Sequence, residues 1–267
     1  MLKYLYLLEE EPKKTVKRYD AYIFDLYGTL VDIHTDESRP LFWKKVAEFY
    51  TLQGAPYQPM ELKQAYLGLV KELEEKLASA RNSDAHEAHP EIELGEVFER
   101  LYIEKKKQAD QQLIMRTATF FRQASTTHIR RYSGAKELLG ALRDSGSKVY
   151  LLSNAQRIFT EPELEMLGLI DCFDDIVISS DYGCKKPDLE FYRKLIQRNQ
   201  LEPARCLMIG NDPVCDIWGA QNAGMDSYYI HSALSPQPAL PASGRGKLQT
   251  TYYQEGMDLH KVRRQLL

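Results

Sequence analysis

Four short polar stretches in this chain carry residue types suited to nucleophilic attack beside a bound cation. The first is Phe24-Asp25-Leu26-Tyr27-Gly28-Thr29-Leu30-Val31-Asp32, and the second is Leu151-Leu152-Ser153-Asn154. The third is Lys185-Lys186-Pro187-Asp188, and the fourth is Ile209-Gly210-Asn211-Asp212-Pro213-Val214-Cys215-Asp216. An aspartate held rigidly at a strand end, as Asp25 would be, can attack phosphorus or carbon. Asp212 and Asp216 could bring further carboxylate oxygens to the same place, a donor set that suits Mg²⁺ together with substrate phosphate and water. Such a cation would screen the repulsion between the carboxylates and an anionic substrate. Lys186 adds a second positive charge, and Ser153 a hydroxyl donor. Gly28 lets the backbone turn sharply, so that nearby main-chain N–H groups can face anionic oxygens.

These stretches act together only if the fold brings them to one edge. The apolar run of residues 21–24 reads as a strand buried on both faces and ending at Asp25. From about residue 133, apolar runs at 148–153, 176–179, 206–209 and 228–230 alternate with amphipathic stretches at 135–143, 161–167, 188–200 and 214–223. That alternation predicts a parallel sheet flanked by helices, with a last strand near 250–253 and a terminal helix near 259–266. Between residues 40 and 128 the pattern is helical throughout, with Leu62, Tyr66, Leu69, Leu73 and Leu77 at three- and four-residue spacing and no convincing strand. The simplest architecture places this helical block between the first strand and the remainder of the sheet. All four polar stretches then lie at the carboxyl ends of strands, where open α/β sheets bind ligands.

Composition narrows the functional classes. The chain has 267 residues, 43% hydrophobic and 27% charged, with a net charge of -3. That balance describes a globular protein and gives no electrostatic case for a nucleic acid or an anionic membrane as partner. No apolar run approaches the ~20 residues needed to span a bilayer, and no signal peptide is read at the N-terminus. The four cysteines, Cys172, Cys184, Cys206 and Cys215, show no CxxC pairing, which suits buried free thiols in a reducing cytoplasm. Residues 1–18 read as an N-terminal appendage, and the Pro-, Ser- and Gly-rich residues 232–246 as a surface loop. His86 and His89 read as part of a solvated loop rather than a metal site.

The four-part pattern resembles the haloacid dehalogenase-like (HAD) hydrolase superfamily, whose signature is an Asp-x-Asp-x-Thr loop, then Ser or Thr, then Lys, then paired acids. Asp25, Thr29, Ser153, Lys186, Asp212 and Asp216 fill those places in order. The resemblance spans about residues 20–231. It implies a Rossmann-like α/β core of residues 19–33 and 130–267, with an all-α helical cap of residues 34–129 inserted after the first strand. It implies Asp25, Tyr27 and Lys186 as catalytic residues, and Gly28, Thr29, Ser153, Asn154 and Lys186 as substrate-binding residues. Mg²⁺ is then held by Asp25, Tyr27 through its carbonyl and Asp212, with Asp216 either as a further ligand or just behind the ligands. The substrate expected is a small phosphorylated metabolite, hydrolysed through a covalent aspartyl intermediate.

The chain departs from the phosphatase pattern at Tyr27, where a second Asp is usual. Tyr at this position is similar to the 2-haloacid dehalogenase branch, which makes dehalogenation the alternative. In that branch an arginine of the cap holds the leaving halide, and Lys44 and Arg39 are the nearest candidates by local similarity. Asp212 argues the other way, because an acid there is similar to the metal ligand of phosphomutase-like relatives. A third possibility is a HAD-fold binding protein with little catalysis.

Overall fold

The structure is a computed structural model that describes residues 19–80, 89–236 and 249–267. The expected appendage of residues 1–18, His86 and most of the loop at 232–246 lie outside the described residues. Six parallel strands form the main sheet. They are β1 (Ala21–Phe24), β4 (Lys148–Ser153), β5 (Asp175–Ile178), β6 (Cys206–Gly210), β7 (Asp226–His231) and β8 (Tyr252–Glu255), in the order β5-β4-β1-β6-β7-β8. The expected α/β parallel sheet is present. β1 lies between β4 and β6, with Phe24 in register with Leu151 and Ile209. The chain builds outward from β1 through β4 and β5, then crosses back to β6, so the switch in direction falls beside Asp25.

Alternation along the strands divides the core in two. Tyr22 and Phe24 pack on one face with Leu151, Ile209, α5 (Ala135–Asp144) and α9 (Leu259–Leu266). Ala21 and Ile23 pack on the other with Met208 and residues Phe191, Tyr192 and Leu195 of α7 (Leu189–Asn199). Burial on both faces explains why these strands read as continuous apolar runs. One further helix, α6 (Arg157–Met166), follows β4 and lies closest to the helical block.

That block comprises α1 (Pro40–Leu52), α2 (Pro59–Ala80), α3 (Leu94–Glu104) and α4 (Gln111–Ser125). It has its own apolar cluster, in which Phe42, Trp43, Tyr66, Phe98 and Phe121 meet edge-on or tilted, and Phe159 of α6 joins from the sheet side. Trp43 and Phe42 are therefore packing residues. The block departs and returns through an antiparallel ribbon of β2 (Val31–Thr35) and β3 (Thr126–Arg131). The sequence reading placed no strand between residues 40 and 128, and β3, which begins at Thr126, corrects it. Its residues Thr126-Thr127-His128-Ile129-Arg130-Arg131 are mostly exposed, so no apolar alternation announces them. Asp32 accepts from Arg130 Nε at 2.9 Å and lies 3.1 Å from His128 Nε2, and His34 pairs with Thr127. These polar residues serve the ribbon.

The helix expected at 214–223 also differs. Residues Pro213–Trp218 form a wider π turn, and regular α-helix, α8 (Gly219–Asn222), occupies only the end. The Tyr192 hydroxyl donates to the Cys215 carbonyl at 2.6 Å, and such side-chain donors loosen the i to i−4 ladder. A β-carbon at Gly219 would lie 2.6 Å from the Tyr192 ring, so glycine is required for this approach.

Candidate active site

Asp25 is the first residue beyond β1, and its N–H is fixed by the Ile209 carbonyl at 3.0 Å. Its carboxylate is buried and held from two sides. Lys186 Nζ donates to Oδ1 at 2.8 Å, and the Thr29 hydroxyl lies 3.1 Å from Oδ2. The same hydroxyl lies 3.3 Å from Asn211 Oδ1. Gly28, at φ +86°, brings the backbone against Asn211; a β-carbon there would sit 2.5 Å from the amide nitrogen.

Lys186 is only 2% exposed. Its ammonium also donates to Asp216 Oδ1 at 2.7 Å, so it bridges two carboxylates from different strand ends. These neighbours raise its pKa above the usual lysine value against the opposing effect of burial, and it stays charged. Lys185, the alternative in sequence, turns away and lies 3.6 Å from Glu91. Asn154 clamps the Lys186 backbone, accepting from its N–H at 2.7 Å and donating to its carbonyl at 2.9 Å.

Asp216 is fully buried. Its Oδ1 is taken by Lys186 and its Oδ2 by the Asp212 N–H at 2.9 Å. Burial pushes its pKa upward, and Lys186 opposes that rise. Both of its oxygens thus have protein donors, as both oxygens of Asp25 do. Asp212 caps the following turn, with Oδ1 accepting from the N–H groups of Val214 and Cys215, both at 2.8 Å. No basic side chain pairs with Asp212 among the described residues.

Ser153, at the end of β4, is wholly buried, and its hydroxyl has no hydrogen-bond partner among the described residues. A buried hydroxyl left in this state carries a penalty that a bound oxygen would remove.

Asp25, Tyr27, Asn154, Lys186, Asn211, Asp212, Cys215 and Asp216 line one cavity of about 310 Å³, with Leu234 and Pro236 on its wall. Three carboxylates and one ammonium thus line it, and the ammonium pairs with two of them, Asp25 and Asp216. Among the described residues no three acidic, histidine or cysteine side chains gather into a metal cluster, and Mg²⁺ fits this place as an ion held by one or two carboxylates together with substrate phosphate and water.

Tyr27 takes an unexpected direction. Its hydroxyl donates to Glu163 Oε2 on α6 and lies 3.1 Å from the Thr160 hydroxyl. Burial and the Glu163 carboxylate both raise its pKa, which disfavours the phenolate. Glu163 is gripped in turn by Arg122 of α4, with Nε at 2.6 Å and Nη2 at 3.3 Å, and Arg122 lies over the rings of Tyr27 and Phe159. Sequence reasoning missed Arg122 and Glu163, which carry no local motif. Lys44 and Arg39 do not line the cavity. Lys44 faces an outer cleft with Thr51 and Gln58, and Arg39 donates to the carbonyls of Ala124 and Ser125.

A family model described as haloacid dehalogenase-like hydrolase matches residues 19–224, well over half of the chain. Among curated proteins, a glyceraldehyde 3-phosphate phosphatase of Methanothermobacter thermautotrophicus is 31% identical over 107 residues, 40% of this chain and 47% of that protein. A pyrimidine 5′-nucleotidase of Escherichia coli is 33% identical over 106 residues, 39% of this chain and 47% of that protein. The match therefore spans less than half the length of these relatives. Among solved structures, a magnesium-bound HAD hydrolase of Bacillus subtilis superposes with a TM-score of 0.52 at 22% identity, covering 94% of this chain and 99% of that one. A 2-haloacid dehalogenase of Pseudomonas syringae gives 0.59 at 19% identity, covering 93% and 98%. Both likenesses concern the fold.

Proposed function

Because the chain belongs to the haloacid dehalogenase-like hydrolases, we propose that it is a Mg²⁺-dependent phosphatase of small phosphorylated metabolites, with Asp25 as nucleophile. The observation that carries this reading is the charge of the cavity. Asp25, Asp212 and Asp216 outnumber the single lysine, so an anionic substrate is repelled until a divalent cation joins it. Asp25 and Asp212 would hold that ion, with the Tyr27 carbonyl beside them, while Asp216 orients Lys186. Bound there, Mg²⁺ supplies neutralising charge to the carboxylates and to a phosphate oxygen.

The side chains divide the remaining work. An Asp25 carboxylate oxygen forms a bond to phosphorus as the bond to the leaving oxygen breaks, and that oxygen takes a proton from water to leave as an alcohol. Water then attacks the aspartyl phosphate, releasing phosphate and restoring the carboxylate. Thr29 and Lys186 fix the carboxylate in one orientation, which is where proximity catalysis originates. The Ser153 hydroxyl and the Lys186 ammonium receive phosphoryl oxygens. Residues 34–129 act as the cap, excluding bulk water and selecting the leaving group.

The test is phosphate release from a panel of phosphorylated metabolites. Release is expected with Mg²⁺, is lost in EDTA and returns when Mg²⁺ is restored in excess. Tyr27 keeps dehalogenation as the second reading; chloride release from 2-chloropropionate in EDTA would establish it and overturn the phosphatase. Neither release, with thermal stabilisation by Mg²⁺ and a phosphate mimic, would instead identify a binding protein.

Tyr27→Phe separates two roles for the phenol. A general acid contributes roughly 10²–10⁴-fold. With its hydroxyl committed to Glu163, Tyr27 is a positioning residue, and the variant is expected to retain kcat within about tenfold of wild type. A larger loss in steady-state phosphate release would return the phenol to the role of acid.

A further inference from the structure

The helical block touches the catalytic loops at a second place, distant from the ribbon. Residues 89–94, which lead into α3, run antiparallel to residues 183–185. The Glu91 N–H donates to the Gly183 carbonyl at 3.1 Å, and the Lys185 N–H donates to the His89 carbonyl at 3.0 Å. Lys185 immediately precedes Lys186.

Side chains reinforce the join. Gln156, two residues after Asn154, donates to the Ile92 carbonyl at 2.8 Å and to Glu91 Oε1 at 3.0 Å. It also accepts from the Leu94 N–H at 2.8 Å. Glu91 Oε2 accepts from the Ser179 hydroxyl at 3.2 Å, with Lys185 Nζ at 3.6 Å. Burial raises the pKa of Glu91, and its Ser179, Lys185 and Gln156 contacts oppose that rise. The same turn after β4 therefore carries Asn154, which clamps the Lys186 backbone, and Gln156, which clamps the helical block.

We propose that residues 89–94 form a strap through which the helical block sets the position of Lys186, making Glu91 and Gln156 positioning residues for attack by Asp25. This rests on the reading of Asp25 and Lys186 as the reactive pair. The block's other attachments, the ribbon of β2 and β3 and the contacts of Arg122 and Phe121 with Glu163 and Phe159 of α6, do not touch the loop that carries Lys186. With the strap seated, a swing of the block breaks the hydrogen bond from the Lys185 N–H to the His89 carbonyl and loosens the loop that holds Lys186. Seating the block and presenting the lysine are then one event.

The experiment is amide hydrogen exchange on the full chain, read at residues 183–186, paired with p-nitrophenyl phosphate turnover in Mg²⁺. In Gln156→Ala, exchange at Lys185 and Lys186 is expected to quicken at least about tenfold, while peptides covering β6 stay within about twofold. Turnover is expected to fall at least about tenfold in kcat with KM within about threefold. Glu91→Ala should behave alike. Glu91→Gln, which keeps an acceptor for Gln156, should stay within about threefold of wild type in both readouts.

Unchanged exchange at Lys185 and Lys186 in Gln156→Ala overturns the strap. Faster exchange with unchanged kcat overturns the positioning role. Should Gln156→Ala also loosen β6, the Glu91→Ala and Glu91→Gln pair decides by the same criteria. A wild type without phosphatase activity removes the functional reading alone, because the exchange arm still reports the strap.

Discussion

Asp25→Asn is expected to abolish phosphate release, lowering kcat by at least about 10³-fold, the scale on which removal of a catalytic nucleophile acts. The substitution is nearly isosteric: its carbonyl oxygen can accept from Lys186, while its NH2 faces the Thr29 hydroxyl, which can turn its hydrogen to Asn211 Oδ1 and accept instead. What it removes is the charged oxygen that attacks phosphorus, since a neutral amide is a poor nucleophile. Lys186 retains the Asp216 carboxylate at 2.7 Å, so the thermal midpoint should move by only a few degrees. Steady-state release and unfolding, measured on one preparation, check both halves. Turnover above about a tenth of wild type in a folded variant would remove Asp25 from the role of nucleophile.

The second large effect concerns stability as well as rate. Lys186→Met keeps most of the side-chain volume but leaves Asp25 and Asp216 facing each other without their ammonium. Breaking a buried pair by removing one partner costs about 3–5 kcal/mol, because the charge left behind is neither solvated nor paired. Activity is lost with it, since Asp25 is no longer oriented. The pH dependence has a definite sign. Burial already raises the Asp216 pKa, and loss of Lys186 raises it further. A carboxyl whose folded pKa exceeds its unfolded value costs nothing while both states are protonated, costs progressively more as pH rises from the unfolded pKa to the folded one, and levels off above it. The gap between variant and wild type should therefore be smallest near pH 4 and widen toward pH 8, in urea unfolding without Mg²⁺. A gap independent of pH would mean that packing loss, rather than stranded charge, sets the destabilisation.

Much of this site is visible in the sequence because of how buried parallel strands are written. Residues 21–24, 149–152 and 206–210 are apolar on both faces, and each run stops at a polar residue: Asp25, Ser153 and Asn211. Parallel topology then delivers those stops to one edge. The supporting contacts are another matter. Arg122 and Glu163 sit on ordinary amphipathic helices 41 residues apart, and nothing local distinguishes them from solvated charges. Gln156 and Glu91 meet across 65 residues for the same reason. The direction of the Tyr27 side chain depends on α6, which no spacing within the first motif encodes. The π turn at Pro213–Trp218 arises where Tyr192, from a different helix, reaches into its carbonyls.

The ribbon has a consequence for how such a molecule can be rebuilt. Thr35 and Thr126 are register partners across β2 and β3, so the two points where the insertion leaves and re-enters are neighbours at roughly the 4.8 Å spacing of adjacent strands. A two-residue hairpin turn would suffice to splice them, and every strand of the six-stranded sheet would keep its partners. Another module could be grafted at the same junction, provided it shelters Phe159 and supplies groups to answer Gln156. Preference for one metabolite over another could thus be exchanged by transplantation, while the reactive aspartate is inherited unaltered.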